Sequence, residues 1–507
     1  MTTATAFDEE RYLEEQTREI LERVSRFDNK LYLEFGGKLV FDYHASRVLP
    51  GFDPNVKMKL LQKLKDQAEI ILCIYAGHIE QRKTRADFGI TYDADAMKLI
   101  DDLCVGWGLS LNSVVVTRYE DQPSVDQFIN ALKRRDITVY VHRATRGYPD
   151  DVDLIVSDDG YGKNSYITTT KPLVVVTGPG PNSGKLGTCL SQLYHEHLRG
   201  VSAGYAKFES FPIWNLPLRH PVNVAYEAAT ADLRDVNLID PFHLEAYGSR
   251  SINYNRDVDA FPLLKRILEK ISGSESVYLS PTDMGVNRIG FAIIDDDAAQ
   301  EAARQEIIRR SFRYACEYMM GLGSKETVER ARRIMQDVGA AEEDRAVVEA
   351  ARTAADAAQG DSQKGHNGIY CGAAIELADG TILTGKNSTV MHAAAAAVLN
   401  AIKYLAGLPD KLHLISPAVL ESVAALKREI KGDSEVTMNL EEMLIALGTS
   451  TTSSSSAYLA VRQLGSLQRC EMHLTHMPTP GDEAGLRDLG LHVTSDPLFS
   501  SQRLLMH

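Results

Sequence analysis

Residues 173–197 constrain the fold more than any other stretch of the chain. Residues 173–176 are an unbroken aliphatic run closed by Thr177, Gly178 to Gly184 read Gly-Pro-Gly-Pro-Asn-Ser-Gly, and a helical pattern opens at Lys185. A strand feeding a glycine loop and then a helix is one unit of a parallel α/β sheet, because parallel neighbours need a crossover to join them. The same order makes an anion cradle. Glycines let backbone N–H groups close on an anion, the helix N-terminus carries partial positive charge, and Lys185 adds a full one. The usual P-loop has four residues between its glycines and a hydroxyl after the lysine. Here Gly178 and Gly184 enclose five residues, and Leu186 follows Lys185. The segment therefore argues for phosphate contact by Gly178, Gly180, Asn182, Ser183, Gly184 and Lys185 more firmly than for nucleotide hydrolysis. Its amides are expected to face an open cavity. ATP or another nucleotide with Mg²⁺ is the cofactor such a loop would take, with Thr188, one turn on, a poor substitute for the missing metal ligand. Nothing in the sequence specifies a metal.

Short β-branched runs alternate with helical patterns on both sides of this loop, at residues 31–35, 70–75, 113–117, 138–142, 154–157, 203–208 and 290–294. The expected class is α/β: a Rossmann-like and P-loop-like parallel sheet region whose ligands sit at the C-terminal ends of the strands. Whether the runs make one sheet or two is left open by the sequence. Residues 295–360 read as helical and rich in Ala, Glu and Arg. A smaller α/β domain follows, with a hairpin across 369–384, an alanine-rich helix, and strands at 412–416 and 470–476. The expected division is a Rossmann-like unit at 1–165, a P-loop-like unit at 166–322, a helical connector at 323–365 and a C-terminal α/β domain at 366–507.

The net charge of −14 argues against nucleic acid as a partner, because lysine and arginine must displace counterions for such binding. A small anionic metabolite held at a local site remains compatible with it, as does a homo-oligomer. The six cysteines show no C-x-x-C pair and no zinc-like spacing, and read as reduced thiols. With no signal-like segment and no long apolar helix, the expected setting is cytoplasmic and away from membranes.

One helix length after the loop, residues 203–208 form a strand that brings Lys207 and Glu209 to the same sheet edge. The order of strand, glycine-lysine loop, helix and G-Y-x-K strand end resembles dethiobiotin synthetase and related P-loop ligases. That resemblance implies phosphate contact by Lys185 and the loop amides and substrate contact by Lys207; it fails at Leu186. Along the whole chain, EFGGKLVFDYHASRVLPGFDP (34–54), TKPLVVVTGPGPNSGK, YHEHLRG, PIWNLPLRHPVNVAYEAATADLRDVNLIDPFH (212–243) and SPTDMGVNRIGFAIIDD (280–296) resemble a bacterial family of uncharacterised proteins of this length. That family sometimes carries a zinc-peptidase label. His195-Glu196-His197 does not support the label: it is not H-E-x-x-H, and histidines two apart on a helix point about 200° from each other.

Other polar clusters follow strand-like runs. Gly36-Gly37-Lys38 with Asp42, His44 and Arg47 reads as a ligand loop or a tight turn; Asp158 to Lys163 reads as a cation loop or a turn, the turn favoured. His220 and Asp283 lie in proline-rich segments of the kind that carry active-site groups. Thr384 to Ser388 is a second anion nest or a helix start capped by Asn387 or Ser388, the cap favoured. The expected function is phosphoryl or acyl-phosphate transfer to a small molecule near Lys207, Glu209, Asp283 and His220, since such chemistry needs positioned cations and backbone dipoles. The alternative is a non-catalytic metabolite-binding or regulatory protein that uses the same loop. A redox Rossmann enzyme ranks third, because no G-x-G-x-x-G follows the first strand.

Overall fold

A computed structural model of the chain describes residues 5–83, 90–431 and 437–501. It forms two compact units, one built from Thr5–Glu227 and Arg234–Ala303, the other from Ala228–Leu233 and Arg304–His507.

The first unit is organised on a seven-stranded sheet. Its strands are β1 (Leu31–Phe35), β2 (Ala68–Tyr75), β3 (Leu111–Thr117), β4 (Val139–His142), β5 (Leu173–Thr177), β6 (Gly204–Phe208) and β9 (Gly285–Val286), in the order β4-β3-β2-β5-β1-β6-β9. Every neighbouring pair is parallel. One sheet thus takes strands from both sides of residue 165. The aliphatic runs suit this position because strands covered on both faces need apolar residues at every register, and β1 and β5 are buried throughout. A short antiparallel pair, β7 (Asn237–Ile239) and β8 (Ile252–Tyr254), lies outside the sheet.

The connections set the position of the site. From β2 the chain winds outward to β3 and β4; from β5 it crosses β1 to reach β6. Neighbouring strands that lead away in opposite directions leave a crevice at their C-terminal ends, which is where open α/β sheets bind ligands. The loop after β5 opens onto that crevice, and the helix Lys185–Leu198 follows it. Leu190 and Leu193 bury this helix against Tyr32, Val174 and Val176, beside Phe261 and Ile267 of the helix Asn255–Ser272. Gly184 gives it no side-chain cap. Burial of the two leucines, about 1.5–3 kcal/mol each, outweighs the roughly 1 kcal/mol a cap would add.

The second unit holds a four-stranded sheet of β10 (Gly372–Glu376), β11 (Ile382–Lys386), β12 (Glu471–Leu474) and β13 (His492–Ser495), in the order β11-β10-β12-β13. β10 and β11 are an antiparallel hairpin through Asp379-Gly380, and β12 and β13 run parallel. Its alanine-rich helices lie against glycines. A Cβ on Gly372 would fall 2.1 Å from the Ala351 carbonyl, and one on Gly385 2.2 Å from the Ala397 nitrogen.

Three expected strands are absent. Residues 154–157 fall on the helix Val152–Ile155 because the Asp151 carboxylate accepts the Leu154 N–H and turns the backbone. Asp158 therefore follows a helix, not a strand. Residues 290–294 hold a 3₁₀ turn at Ile289–Phe291 and a single bridge from Ile293 to Phe7. At 412–416 the chain turns back on Pro409, and Ser416 then accepts the Val419 N–H at the start of the helix Pro417–Lys431. No helix of the described residues is long and apolar enough to cross a membrane.

Candidate functional site

The glycine loop is packed tightly between the ends of β2, β3 and β5. A Cβ on Gly178 would lie 2.4 Å from Ser183 Oγ and 2.5 Å from the Cys73 carbonyl. On Gly180 it would meet the Tyr92 ring at 2.5 Å, and on Gly184, at φ +87°, the Thr117 side chain at 2.7 Å. Thr117 Oγ1 donates to the Ser183 carbonyl at 2.8 Å, and Asn182 takes φ +59°. Packing thus demands glycine at all three positions. Lys185 curls back, its Nζ 3.4 Å from the Gly180 carbonyl and 3.5 Å from Ser183 Oγ, both long contacts. Gly178 and Pro179, at the start of the loop, line a crevice of about 30 Å³ together with Lys38, Asp95, Lys98 and Asp102, whereas Asn182, Lys185 and Arg118 do not line it. That is room for about one water, not the expected open cavity.

Thr188 is 1% exposed and accepts a hydrogen bond from the Cys73 thiol at 3.4 Å. It belongs to the core, so the donors at this loop do not fit a magnesium site. Among the described residues no group of three or more His, Cys, Asp or Glu side chains stands close enough together to hold a metal ion.

Sequence reading missed the residue that faces the loop from β3. Arg118, the first residue past that strand, takes φ +50° and is exposed. Its guanidinium lies 3.6 Å from the centre of the Tyr75 ring and donates to the Asn182 carbonyl. The contacts of Arg118 and of Lys185 include no carboxylate of the described residues. Tyr75 ends β2 and meets His78 edge-on at 4.9 Å; His78 in turn lies 4.4 Å from Tyr92. His78 is 7% exposed, and its Nδ1 has no hydrogen-bond partner among the described residues. Burial first, then the charges of Lys83 and Arg118, push its pKa down to about 4, so the ring is neutral.

A second cluster stands at the ends of β1 and β6. Lys207 Nζ lies 2.5 Å from Glu209 Oε1 and 2.6 and 2.8 Å from the two Asp257 oxygens. Glu34 of β1 is in register with Lys207 and accepts from the Tyr205 hydroxyl at 2.8 Å. Three carboxylates therefore surround one ammonium. Burial opposes the charge on Lys207, but Asp257, Glu209 and Glu34 outweigh it and hold its pKa well above the ordinary value. Glu209 moves the other way: burial, with Asp257 and Glu34 adding to it against Lys207, raises it to about 7. Gly36 lets β1 approach β6, a Cβ there falling 3.1 Å from the Phe208 carbonyl. Its neighbour Gly37 lies by the buried Lys57, which donates to the Lys38 carbonyl and to Asp42. Lys207 and Glu209 thus share the C-terminal sheet edge with the loop, one strand away across β1.

The remaining candidates go elsewhere. Asp283 accepts from the Tyr247 hydroxyl and the Leu279 N–H, and its own N–H is capped by Ser280. His220 Nε2 pairs with Asp296 at 3.0 Å while its Nδ1 accepts the Val222 N–H, which fixes it as a neutral helix-start residue. Burial lowers its pKa. Neither has a contact with Lys207, Glu209 or Lys185. His195 Nε2 bonds the Asn164 carbonyl, whereas His197 is exposed. Asp158 accepts from Tyr194, and Asp159 pairs with Lys163, as in a turn. In the second unit Asn387 holds Cys371 and Ile369, and Ser388 caps Val390, so neither caps the helix Ala393–Leu405. His392 stands at its start with Nδ1 2.6 Å from Asp482.

Comparison with known proteins also divides the chain in two, at residues 339–343 and so later than the boundary of the compact units at Ala303. Residues 5–339 match the model described as domain of unknown function DUF1846, N-terminal, and residues 343–505 its C-terminal counterpart. A UPF0371 protein of Clostridium botulinum (strain Loch Maree / Type A3) is 56% identical over 498 residues, covering 98% of each chain. A UPF0371 protein of Clostridium tetani (strain Massachusetts / E88) matches to the same extent, and one of Clostridium botulinum (strain Alaska E43 / Type E3) is 55% identical over 498 residues. As the resemblance along its length implies, the chain belongs to the DUF1846 family.

Proposed function

We propose that the first unit binds a small phosphate-bearing metabolite at the crevice between β2 and β5 and transfers its phosphoryl or acyl-phosphate group to a second small molecule. One observation carries the reading: in a chain of net charge −14, Lys185 and Arg118 both flank the glycine loop without a carboxylate partner among the described residues. Cations left unpaired at a helix N-terminus favour an anion there. Transfer chemistry needs such cations and dipoles more than it needs a protein nucleophile. Glu209, which titrates near neutrality, is the group able to take a proton from an attacking hydroxyl. Lys207 and Asp257 hold it in position. His220 and Asp283 take no part. A cytoplasmic setting suits the reading, since all six cysteines are free thiols.

Calorimetry of the whole protein with ATP and inorganic pyrophosphate tests binding, and phosphorus NMR of the same mixtures tests turnover. Lys185→Ala should weaken binding roughly ten- to a hundredfold, the worth of one charge-assisted contact. No heat with either compound, or heat unchanged in the variant, would overturn the proposal. A second reading, ligand sensing without turnover, is favoured by Leu186 and by the burial of Thr188, which leave the start of the helix after Lys185 no metal-binding hydroxyl. Binding with no phosphorus product would select it.

A further inference from the structure

The geometry points to Tyr75 as a stacking platform for a planar ring on the phosphate-bearing ligand, with Arg118 as the latch that leaves Tyr75 when a phosphate arrives. The inference rests on the phosphate reading above and narrows its ligand to a nucleotide-like molecule. The guanidinium of Arg118 is a planar group 3.6 Å from the Tyr75 ring centre, the spacing at which a base stacks on an aromatic ring. What occupies that face is an exposed side chain held there by one backbone carbonyl, that of Asn182 in the glycine loop, and by no carboxylate of the described residues. A phosphate at the loop offers the same guanidinium two charge-assisted hydrogen bonds in place of one neutral acceptor. Moving to it, Arg118 bares the Tyr75 face and releases the Asn182 carbonyl.

An independent feature of the same wall asks for a polar partner. His78 packs edge-on against Tyr75 with a buried Nδ1 that has no hydrogen-bond partner among the described residues. Orphaned buried nitrogens are rare in folded proteins.

The test compares ATP with inorganic tripolyphosphate on the whole protein by calorimetry, because the two share the polyphosphate and differ in the ring and sugar. ATP is expected to bind at least about tenfold more tightly, the lower range of a base–aromatic stack. Tyr75→Leu should remove the advantage of ATP over tripolyphosphate, while tripolyphosphate, for which Arg118 no longer has to leave a ring, should bind no more weakly than to the unmodified protein. Ribose 5-triphosphate, binding like tripolyphosphate, would assign the gain to the ring. Equal affinity of ATP and tripolyphosphate for the unmodified protein would overturn the platform while the phosphate reading stood, and this comparison needs no variant. Binding of neither compound would overturn both.

Discussion

Glu209 lies 2.5 Å from Lys207, yet burial raises its pKa to about 7 instead of letting the ammonium lower it. The reason is arithmetic of charge: Lys207 is shared with Asp257 and stands in register with Glu34, so one cation cannot hold three buried carboxylates ionised. The consequence is a stability that depends on pH with a defined sign. In the unfolded chain Glu209 loses its proton near the ordinary value of about 4.3. The folded state keeps it to about 7, so the folded state binds more protons in between. Stability from this group is full at the acid end of that window and falls as pH rises through it, by roughly 1–3 kcal/mol. Urea unfolding from pH 5 to 7.5 should show this decline in the unmodified protein, and Glu209→Gln should flatten it. An identical slope in both would assign the dependence to another group.

Much of the frame that holds this cluster was readable from the chain. The strands from β1 to β6 announced themselves as short apolar, β-branched runs because a parallel sheet covered on both faces has few polar positions to fill. Residues 154–157 have the same composition, and there a single Asp151 cap decides for helix. Short β9 was missed because Gly285 and Val286 owe their strand to pairing with Lys207 and Phe208, a tertiary cause with no local signature. The site divides in the same way. Gly178, Gly184 and Lys185 are one local motif and were legible. Asp257 lies 50 residues from Lys207, and Arg118 is one arginine after a strand; only the fold gives either a role. His220 and Asp283 drew attention by residue type and proline context, which mark local turns as readily as active sites.

The glycines of the loop are separable by substitution. Gly178→Ala would put a methyl 2.5 Å from the Cys73 carbonyl, which is backbone and cannot yield. Gly184→Ala adds a left-handed φ of +87° to a contact at 2.7 Å with Thr117. Each should cost about 2–3 kcal/mol. Gly187, in the helix just beyond, has nothing within 4 Å of a Cβ, so Gly187→Ala should stabilise by about 0.5–1 kcal/mol through helix propensity. Thermal unfolding of the three variants distinguishes packing from mere loop flexibility, which would make all three alike.

Lys185 and Lys207 should part company in the same assay. Lys185 has two contacts at the edge of hydrogen-bonding distance, so Lys185→Ala should change stability by no more than about 0.5 kcal/mol. Lys207→Ala leaves Asp257 and Glu209 without their cation inside the protein and should cost about 3 kcal/mol or more. Raising the acidity should recover part of that loss, because the stranded carboxylates can then take protons.

The second unit contains the opposite titration. Glu471 is bonded by Arg309 at 3.0 Å, by Arg345 at 2.8 Å and by His492 at 3.0 Å. Burial would raise its pKa, but the Arg309 and Arg345 guanidiniums, helped by the His492 hydrogen bond, outweigh it and hold the carboxyl far below the ordinary value. A depressed folded pKa gives stability that is present above the unfolded value near 4.3 and lost as pH falls below it. Arg345 is fully buried, and among the described residues Glu471 is the one carboxylate in direct contact with it, Glu306 acting from further off. Glu471→Gln therefore strands a buried guanidinium at neutral pH and should cost about 3–5 kcal/mol. Arg345→Met removes the charge and its need together and should cost less. Urea unfolding at pH 7, followed by limited proteolysis to see which unit opens first, should rank Glu471→Gln as the more damaging of the two and localise the opening to the residues beyond Arg304. If Arg345→Met proved the worse, the guanidinium would be contributing more through its contacts with the Met472 and His492 carbonyls than it demands of Glu471.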